Sequence, residues 1–143
     1  MKEEIGNIFD KKTFCITTNG VVKINGELVM GAGIALEAKK RYPQLPILYG
    51  NHVKEYGNTP VIVTINKIVS IISFPTKNNW KDKSNINLII NSCKELVKLV
   101  DKYNLTEIYL TRPGCGLGGL DWNYVKPIIS KLLDDRFIIL TPK

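Results

Sequence analysis

Short runs rich in β-branched and aromatic residues alternate along the chain with segments whose apolar residues recur at helical spacing. Such runs predict β-strands, because branched and aromatic side chains suit a pleated, half-buried surface. The predicted strands cover residues 13–18, 61–65, 68–74, 107–111 and 137–141. From residue 61 onwards the order is strand, strand, helix, strand, helix, strand. This order predicts parallel crossovers and helices packed on a sheet, which is an α/β sandwich.

The clearest helical pattern covers about residues 84–103, with Ser84 as a suitable N-cap. Its apolar side chains form one stripe, which we assign to the core rather than to a cofactor site. A second helix is expected to begin near Gly33 and to end before Pro43, because proline has no N–H to continue it. Residues 44–58 are expected to hold a further short helix followed by a loop.

The last predicted helix covers about residues 122–133, and Asp121 is a natural N-cap for it. Pro127 lies deeper than the first turn of this helix, where a proline removes a backbone hydrogen bond. The helix is therefore expected either to begin nearer Tyr124 or to be kinked at the proline.

The chain has 143 residues, the length of one domain, and we expect a single domain over residues 1–143. Hydrophobic residues make up 44% and charged residues 23%, a composition typical of a folded protein. The longest nearly uncharged stretch, residues 61–75, is shorter than the roughly 20 residues of a membrane-spanning helix. No apolar run of signal-peptide length follows Met1, so a cytoplasmic location is expected.

The 20 basic and 13 acidic residues give a net charge of +7, which favours anionic partners such as a nucleotide or nucleic acid. Because the lysines are scattered, a simply solvated surface explains many of them equally well. The 3 cysteines form no C-x-x-C pair and His52 is the single histidine, so neither a disulfide framework nor a metal site is expected. For His52 itself a surface or helix-end position is expected rather than catalysis.

Two glycine-rich segments lie where a predicted helix begins. The first glycine loop (residues 30–35) reads Met30-Gly31-Ala32-Gly33-Ile34-Ala35, and the second (residues 113–119) reads Pro113-Gly114-Cys115-Gly116-Leu117-Gly118-Gly119. Glycine lets a backbone approach a ligand closely, and free N–H groups at a helix N-terminus favour phosphate oxygens. Two such loops could hold one diphosphate from two sides. The simpler alternative is a pair of tight turns without a ligand.

The second glycine loop also contains G-x-G-x-x-G, at Gly114, Gly116 and Gly119. In dinucleotide-binding folds this pattern belongs to the first βα unit, whereas here it precedes the last helix and strand. Neither loop ends in Gly-Lys followed by Ser or Thr, as a P-loop does. Both of these nucleotide-binding motifs are therefore disfavoured.

Five segments of the chain resemble the macrodomain family, in the family's order. They are Gly6-Asn7-Ile8, Thr17-Thr18-Asn19-Gly20, the first glycine loop, Phe74-Pro75-Thr76-Lys77, and the second glycine loop extended by Leu120-Asp121-Trp122. The resemblance covers nearly the whole chain. It is strongest to the branch that contains terminal ADP-ribose protein glycohydrolase and the DarG antitoxin, which removes ADP-ribose from DNA.

The resemblance implies ADP-ribose-binding residues in four of these segments. They are Asn7, Ile8, Thr18, Asn19, Gly20, Met30, Gly31, Ala32, Gly33, Ile34, Ala35, Pro113, Gly114, Cys115, Gly116, Leu117 and Gly118. Asn7 stands where most macrodomains carry an aspartate for the adenine amino group, and its carbonyl can still accept that bond without the charge. Asn19 and Gly20 would lie beside the distal ribose, where the long stretch 21–29 could reshape the site.

The resemblance also implies two catalytic candidates. In this branch the lysine at the position of Lys77 attacks the anomeric carbon of the distal ribose, which requires a neutral amine. Gly118 occupies the position where human-type enzymes carry an acidic residue, and Asp121 is the nearest carboxylate. Asp121 could therefore replace it, or serve only as a helix cap. Trp80 and Trp122 could stack on a base, although core packing or a cleft wall is the simpler role.

The fold implied by the resemblance is a three-layer α/β/α macrodomain with a central mixed, largely parallel sheet. The implied activity is an ADP-ribosyl glycohydrolase that acts on ADP-ribosylated DNA or protein, uses a lysine nucleophile and needs no cofactor. The alternatives are an ADP-ribose 1''-phosphate phosphatase of the Appr-1''-p processing kind and a non-catalytic ADP-ribose reader. Nucleic acid and a cognate ADP-ribosyltransferase are the expected macromolecular partners, and no membrane is expected.

Overall fold

Six strands form one sheet in the computed structural model, which describes residues 1–143. The strands are β1 (Lys2–Ile5), β2 (Thr13–Thr18), β3 (Ile62–Ile65), β4 (Val69–Pro75), β5 (Ile108–Leu110) and β6 (Phe137–Thr141). Their order across the sheet is β1-β6-β5-β2-β4-β3. Only the edge pair β3 and β4 is antiparallel, and all other neighbours are parallel. The predicted mixed, largely parallel sheet is thus confirmed.

Four helices cover the two faces of this sheet. They are α1 (Gly33–Arg41), α2 (Leu45–Tyr56), α3 (Ile86–Lys102) and α4 (Trp122–Ile129), and a short 3-10 helix covers Ile8–Asp10. None of them combines the length and the apolar character that a membrane crossing requires. The predicted helices near Gly33, in residues 44–58, after Ser84 and after Asp121 are all present, which confirms the three-layer α/β/α arrangement.

The core divides into two clusters because alternate strand residues face opposite sides of the sheet. In β2, Phe14 and Ile16 pack with the buried side chains of α1 and α2, whereas Cys15 packs with those of α3 and α4. Each fully buried leucine, isoleucine or phenylalanine stabilises the fold by about 1.5–3 kcal/mol. The two clusters hold the strand ends and their loops in fixed relative positions.

β1 is the one strand that the sequence pattern did not predict. Its four residues are all exposed and mostly charged, so they carry no apolar alternation. Backbone pairing with β6 holds the strand at the sheet edge, and the Met1 ammonium lies 2.8 Å from the Asp135 carboxylate. Lys126 Nζ also lies 2.7 Å from Glu3 Oε2, so backbone pairing and ion pairs, rather than apolar packing, hold this strand.

Two predicted helix boundaries are wrong. Helix α3 is capped by Asn85, whose Oδ1 accepts from Asn87 N and Leu88 N, and not by Ser84. Helix α4 is capped by Asp121, as predicted, and begins at once at Trp122. It ends at Ile129 instead of residue 133, and Pro127 lies inside it.

Candidate functional site

The carboxyl ends of three neighbouring parallel strands border one cavity of about 650 Å³. Residues 17–19 at the end of β2, 76–77 after β4 and 111–112 after β5 line it. Both glycine loops line it as well, together with Val29, Trp80 and Ser84. This edge is where α/β sheets place their ligand sites, because loops and helix N-termini open there.

The first glycine loop presents unpaired backbone donors to the cavity. Ala32 is the N-cap of α1 but has no side-chain oxygen to bond the first turn. The N–H groups of Gly33, Ile34 and Ala35 donate to no acceptor in the protein. An exposed helix N-terminus of this kind attracts phosphate oxygens through its free N–H groups and its partial positive charge.

The second glycine loop faces the first one across the cavity. Leu117 extends between them, with its Cδ1 only 3.2 Å from the place that a Cβ on Gly33 would occupy. The N–H groups of Gly116, Leu117 and Gly118 also lack acceptors in the protein. The two loops therefore offer two separate sets of free donors to one ligand, an arrangement that suits a diphosphate.

The charge of the cavity is positive. Lys77 and Arg112 are its only charged lining residues, and no aspartate, glutamate, histidine or cysteine lines it. Lys77 is half-buried, and the Arg112 guanidinium lies 5.4 Å from the ring centre of Trp122. These two cations favour an anionic ligand.

Asn19 joins the cavity to the long connection after β2. Its Nδ2 donates to Val29 O at 2.8 Å, and its Oδ1 accepts from Val21 N at 2.9 Å. Residues 21–29 form a small hairpin, with Val29 N bonded to Val21 O. The sequence predicted that this stretch could reshape the site, and Val29 does line the cavity.

The same hairpin rests on α2. Leu28 is buried and donates its N–H to Pro46 O at 2.8 Å. At the closest approach, a Cβ added to Gly50 would lie 1.9 Å from Gly26 O, so no side chain fits at position 50. The hairpin is therefore docked on the helix rather than projecting from the surface.

Most of the predicted ADP-ribose-binding residues come together in this cavity. Those that line it are Thr18, Asn19, Met30, Gly31, Ala32, Gly33, Ile34, Ala35, Gly114, Gly116, Leu117 and Gly118, and the predicted nucleophile Lys77 lines it with them. Those that do not line it are Asn7, Ile8, Gly20, Pro113 and Cys115. The predicted catalytic Asp121 does not line it either.

Four of the five predicted binding residues outside the cavity have other structural roles. Asn7 Oδ1 accepts from Phe9 N and caps the 3-10 helix, and Ile8 belongs to the core. Pro113 is buried, and its carbonyl accepts the Cys115 thiol at 3.4 Å. Burial raises the pKa of that thiol, so Cys115 stays protonated and is a poor nucleophile.

The side chains of Asp121 and His52 also form hydrogen bonds outside the cavity. The exposed Asp121 carboxylate accepts from Asn123 N at 2.9 Å, as the N-cap of α4. His52 lies in α2 with its Nε2 2.9 Å from Thr59 Oγ1, and burial lowers the pKa of its imidazole. His52 is not among the lining residues, in agreement with the structural role expected for it.

Gly118 has a steric reason to lack a side chain. A Cβ at this position would lie 2.1 Å from Ser84 Oγ and 2.6 Å from Gly114 O. Ser84 N also donates to Gly118 O at 2.9 Å, which fastens the second glycine loop to the segment after Lys77. The loop as folded here cannot carry an acidic side chain at position 118.

Sequence reasoning missed Arg112, Thr76 and the cavity role of Ser84. Arg112 directly precedes the second glycine loop at the end of a predicted strand, so its position alone could have identified it. Trp80, for which base stacking, core packing or a place in the cleft wall was considered, lines the cavity and is 52% exposed, so it does not pack in the core. Ser84 was assigned to a helix cap, and only the tertiary bond to Gly118 reveals its position.

Comparison with known proteins gives a family match and close structural relatives. The model of the Macro domain family matches residues 21–129. A DNA ADP-ribosyl glycohydrolase of Mycobacterium tuberculosis is 34% identical over 104 residues, 68% of this chain and 30% of that protein. A DNA ADP-ribosyl transferase–DNA ADP-ribosyl glycohydrolase fusion protein of Thermosipho africanus is 26% identical over 133 residues, 78% of this chain and 34% of that protein.

The structural comparison agrees with the sequence comparison. The solved macrodomain of Mycobacterium tuberculosis DarG has a TM-score of 0.82 and 28% identity to this chain, covering 99% of this chain and 97% of that one. The chain spans about a third of the length of the two curated relatives. The similarity therefore concerns one domain of those proteins.

Proposed function

Since the chain belongs to the macrodomain family, we propose that its cavity binds ADP-ribose and that the protein releases ADP-ribose from ADP-ribosylated DNA. One observation carries this proposal: Lys77 lines the same cavity as two opposed glycine loops with free N–H groups. The similarity to a DNA ADP-ribosyl glycohydrolase supports DNA as the substrate. The net charge of +7 also favours a nucleic acid.

In this proposal the diphosphate lies between the glycine loops and accepts bonds from their free N–H groups. Arg112 and Lys77 add positive charge at the same cavity. The distal ribose lies towards Asn19, which lines the cavity. The ligand is thus oriented with its anomeric carbon towards Lys77.

The proposed chemistry uses Lys77 as the nucleophile. The neutral amine donates its electron pair to the anomeric carbon, and a nitrogen–carbon bond forms as the bond to the acceptor breaks. The acceptor leaves with the bonding electrons and takes up the proton that the amine loses. Water then hydrolyses the lysine adduct, which releases ADP-ribose and restores the amine.

A reader that binds ADP-ribose without turnover is the second candidate. It is favoured by one observation: no carboxylate lines the cavity, and Gly118 has no room for one. Hydrolysis of a lysine adduct benefits from a general base. Without a general base, the site would bind ADP-ribose but would not hydrolyse the lysine adduct efficiently.

A cognate ADP-ribosyltransferase as partner is also part of the proposal. The Thermosipho africanus relative joins a DNA ADP-ribosyl transferase and a glycohydrolase in one fusion protein. A protein that reverses the modification must encounter the product of such an enzyme. The cytoplasmic location expected from the sequence stays a prediction.

The decisive experiment compares wild type, Lys77→Ala and Lys94→Ala on ADP-ribosylated DNA and ADP-ribosylated protein. Lys94 is an exposed residue of α3 remote from the cavity, so it controls for the loss of one positive charge. We expect free ADP-ribose from DNA with wild type and Lys94→Ala, and at least a 100-fold slower release with Lys77→Ala.

Other outcomes assign the site differently. Equal release by Lys77→Ala and wild type would remove Lys77 from the mechanism. Tight ADP-ribose binding without release from either substrate would favour the reader. Release of inorganic phosphate from ADP-ribose 1''-phosphate would identify a phosphatase.

A further inference from the structure

The backbone that carries Lys77 is fixed from four directions. The carbonyl groups of four consecutive residues, 75–78, each accept a hydrogen bond from a different part of the chain. These bonds run from Ser92 Oγ to Pro75 O (2.7 Å), from Asn85 N to Thr76 O (2.9 Å), from Asn58 Nδ2 to Lys77 O (2.9 Å) and from Gly20 N to Asn78 O (3.1 Å). The bond to Lys77 itself comes from Asn58.

Asn58 lies in the loop between α2 and β3, and its amide group donates two hydrogen bonds to this segment. Its Nδ2 donates to Lys77 O at 2.9 Å and to Asn78 Oδ1 at 3.1 Å. Its Oδ1 is buried and has no partner in the protein. A buried acceptor without a partner is unfavourable. The amide nevertheless keeps this orientation, because its Nδ2 binds two oxygens that a flipped amide would face with its own oxygen.

Gly20 holds the Asn58 side chain from the other side. A Cβ at Gly20 would lie 2.9 Å from Asn58 Cγ and 2.9 Å from Asn58 Nδ2, so the glycine backbone packs directly on the amide. Gly20 follows Asn19, which lines the cavity. Asn58 is thus enclosed between the segment beside the cavity and the segment of the lysine.

We propose that Asn58 is a positioning residue, which fixes the Lys77 backbone so that its amine meets the anomeric carbon. This inference rests on the nucleophilic role proposed for Lys77. A lysine side chain is long and flexible, and the region that its amine can reach is set by the position of its backbone. A misplacement of about 1 Å can reduce the rate of an enzyme about 100-fold.

The test measures turnover of ADP-ribosylated DNA and affinity for ADP-ribose separately. Asn58→Ala removes both N–H donors, and Asn58→Leu removes them while keeping a side chain of similar size and no charge. We expect kcat to fall roughly 10- to 100-fold in both variants, while the Kd for ADP-ribose changes by less than about twofold. Val100→Ala is the control, because it truncates a buried residue of α3 outside the cavity and the Lys77 segment.

The readouts separate positioning from a general loss of structure. If Val100→Ala lowers the unfolding temperature as much as Asn58→Ala but keeps kcat, reduced stability does not explain the Asn58 result. If both Asn58 variants keep the wild-type kcat, or if kcat and ADP-ribose affinity fall together, the positioning role is overturned. If Asn58→Ala does not fold, Asn58→Leu decides by the same criteria.

Measuring Lys77→Ala beside the Asn58 variants distinguishes this inference from the function on which it rests. Full turnover by Lys77→Ala would refute the nucleophile, and with it the need to position that residue. An inactive Lys77→Ala beside fully active Asn58 variants would refute the positioning role alone.

Discussion

Gly31 of the first glycine loop and Gly118 of the second lack a side chain for different reasons. In the first loop, a Cβ on Gly31 would meet nothing within 4 Å, so the glycine leaves open space in the cavity. In the second loop, a Cβ on Gly118 would collide with Ser84 Oγ and Gly114 O. The missing side chain at Gly31 therefore leaves room for a ligand, as it does at Gly116 of the second loop, whereas at Gly118 the protein itself fills the space.

This difference predicts that a glycine-to-alanine substitution lowers stability at position 118 but not at position 31. The largest effect is expected for Gly118→Ala. The methyl group cannot be accommodated while Gly114 O stays in place, and overpacking of this kind costs about 1–3 kcal/mol. The unfolding temperature should fall by several degrees, and ADP-ribose affinity should fall with it, as thermal unfolding and calorimetric titration would measure.

Ser84→Ala shows how much of this effect comes from the hydroxyl. Ser84 Oγ is buried without a partner, so its removal alone should leave stability unchanged or raise it by about 1 kcal/mol. Combined with Gly118→Ala it should restore only part of the stability, because the clash with Gly114 O remains. Full restoration would show that Gly114 is not the obstacle.

A smaller and more selective effect is expected for Gly31→Ala. Since the added methyl group meets no protein atom, the unfolding temperature should stay within about 2 °C of wild type. Affinity for ADP-ribose should fall roughly tenfold, because the methyl group occupies space that the ligand needs. Unchanged affinity at unchanged stability would place the ligand away from the first glycine loop.

The smallest effect is expected for Asp121→Asn, which tests whether the carboxylate just after the second glycine loop contributes chemistry. Asparagine caps a helix as well as aspartate, so stability should be preserved, whereas Asp121→Ala should cost about 1 kcal/mol. Turnover should be unchanged in Asp121→Asn, because the carboxylate does not line the cavity. A large loss of turnover in Asp121→Asn would give Asp121 the role that Gly118 cannot fill.

The fold could be predicted from sequence wherever burial of one face produces a regular pattern of apolar residues. Strand β2 and helix α3 have clear apolar patterns, and both lie within a few residues of their predicted limits. Strand β1 has no such pattern, because its residues are exposed and it is held by backbone pairing with β6 and the Glu3–Lys126 ion pair rather than by apolar packing. The cap of α3 was misassigned because serine and asparagine are both good N-caps, and only tertiary contacts decide between neighbours.

The site was predictable to a similar degree. The glycine loops stand out as clusters before predicted helices, although tight turns explain them too, whereas Lys77 is one lysine among many and only the family resemblance singles it out. Asn58 does not stand out, because its role depends on a contact with residues about 20 positions away that a single sequence cannot display. Gly118 could be recognised as a departure from the family, but its cause is visible only beside Ser84 and Gly114.

The docking of the 21–29 hairpin on α2 has a consequence for how sequences of this kind can diverge. A side chain at position 50 would collide with Gly26 O, and the three atoms nearest to its Cβ all belong to the hairpin. Homologues that shorten this connection should avoid the collision and accept larger residues at position 50. Insertion length at one site and residue size at another should therefore vary together across evolution.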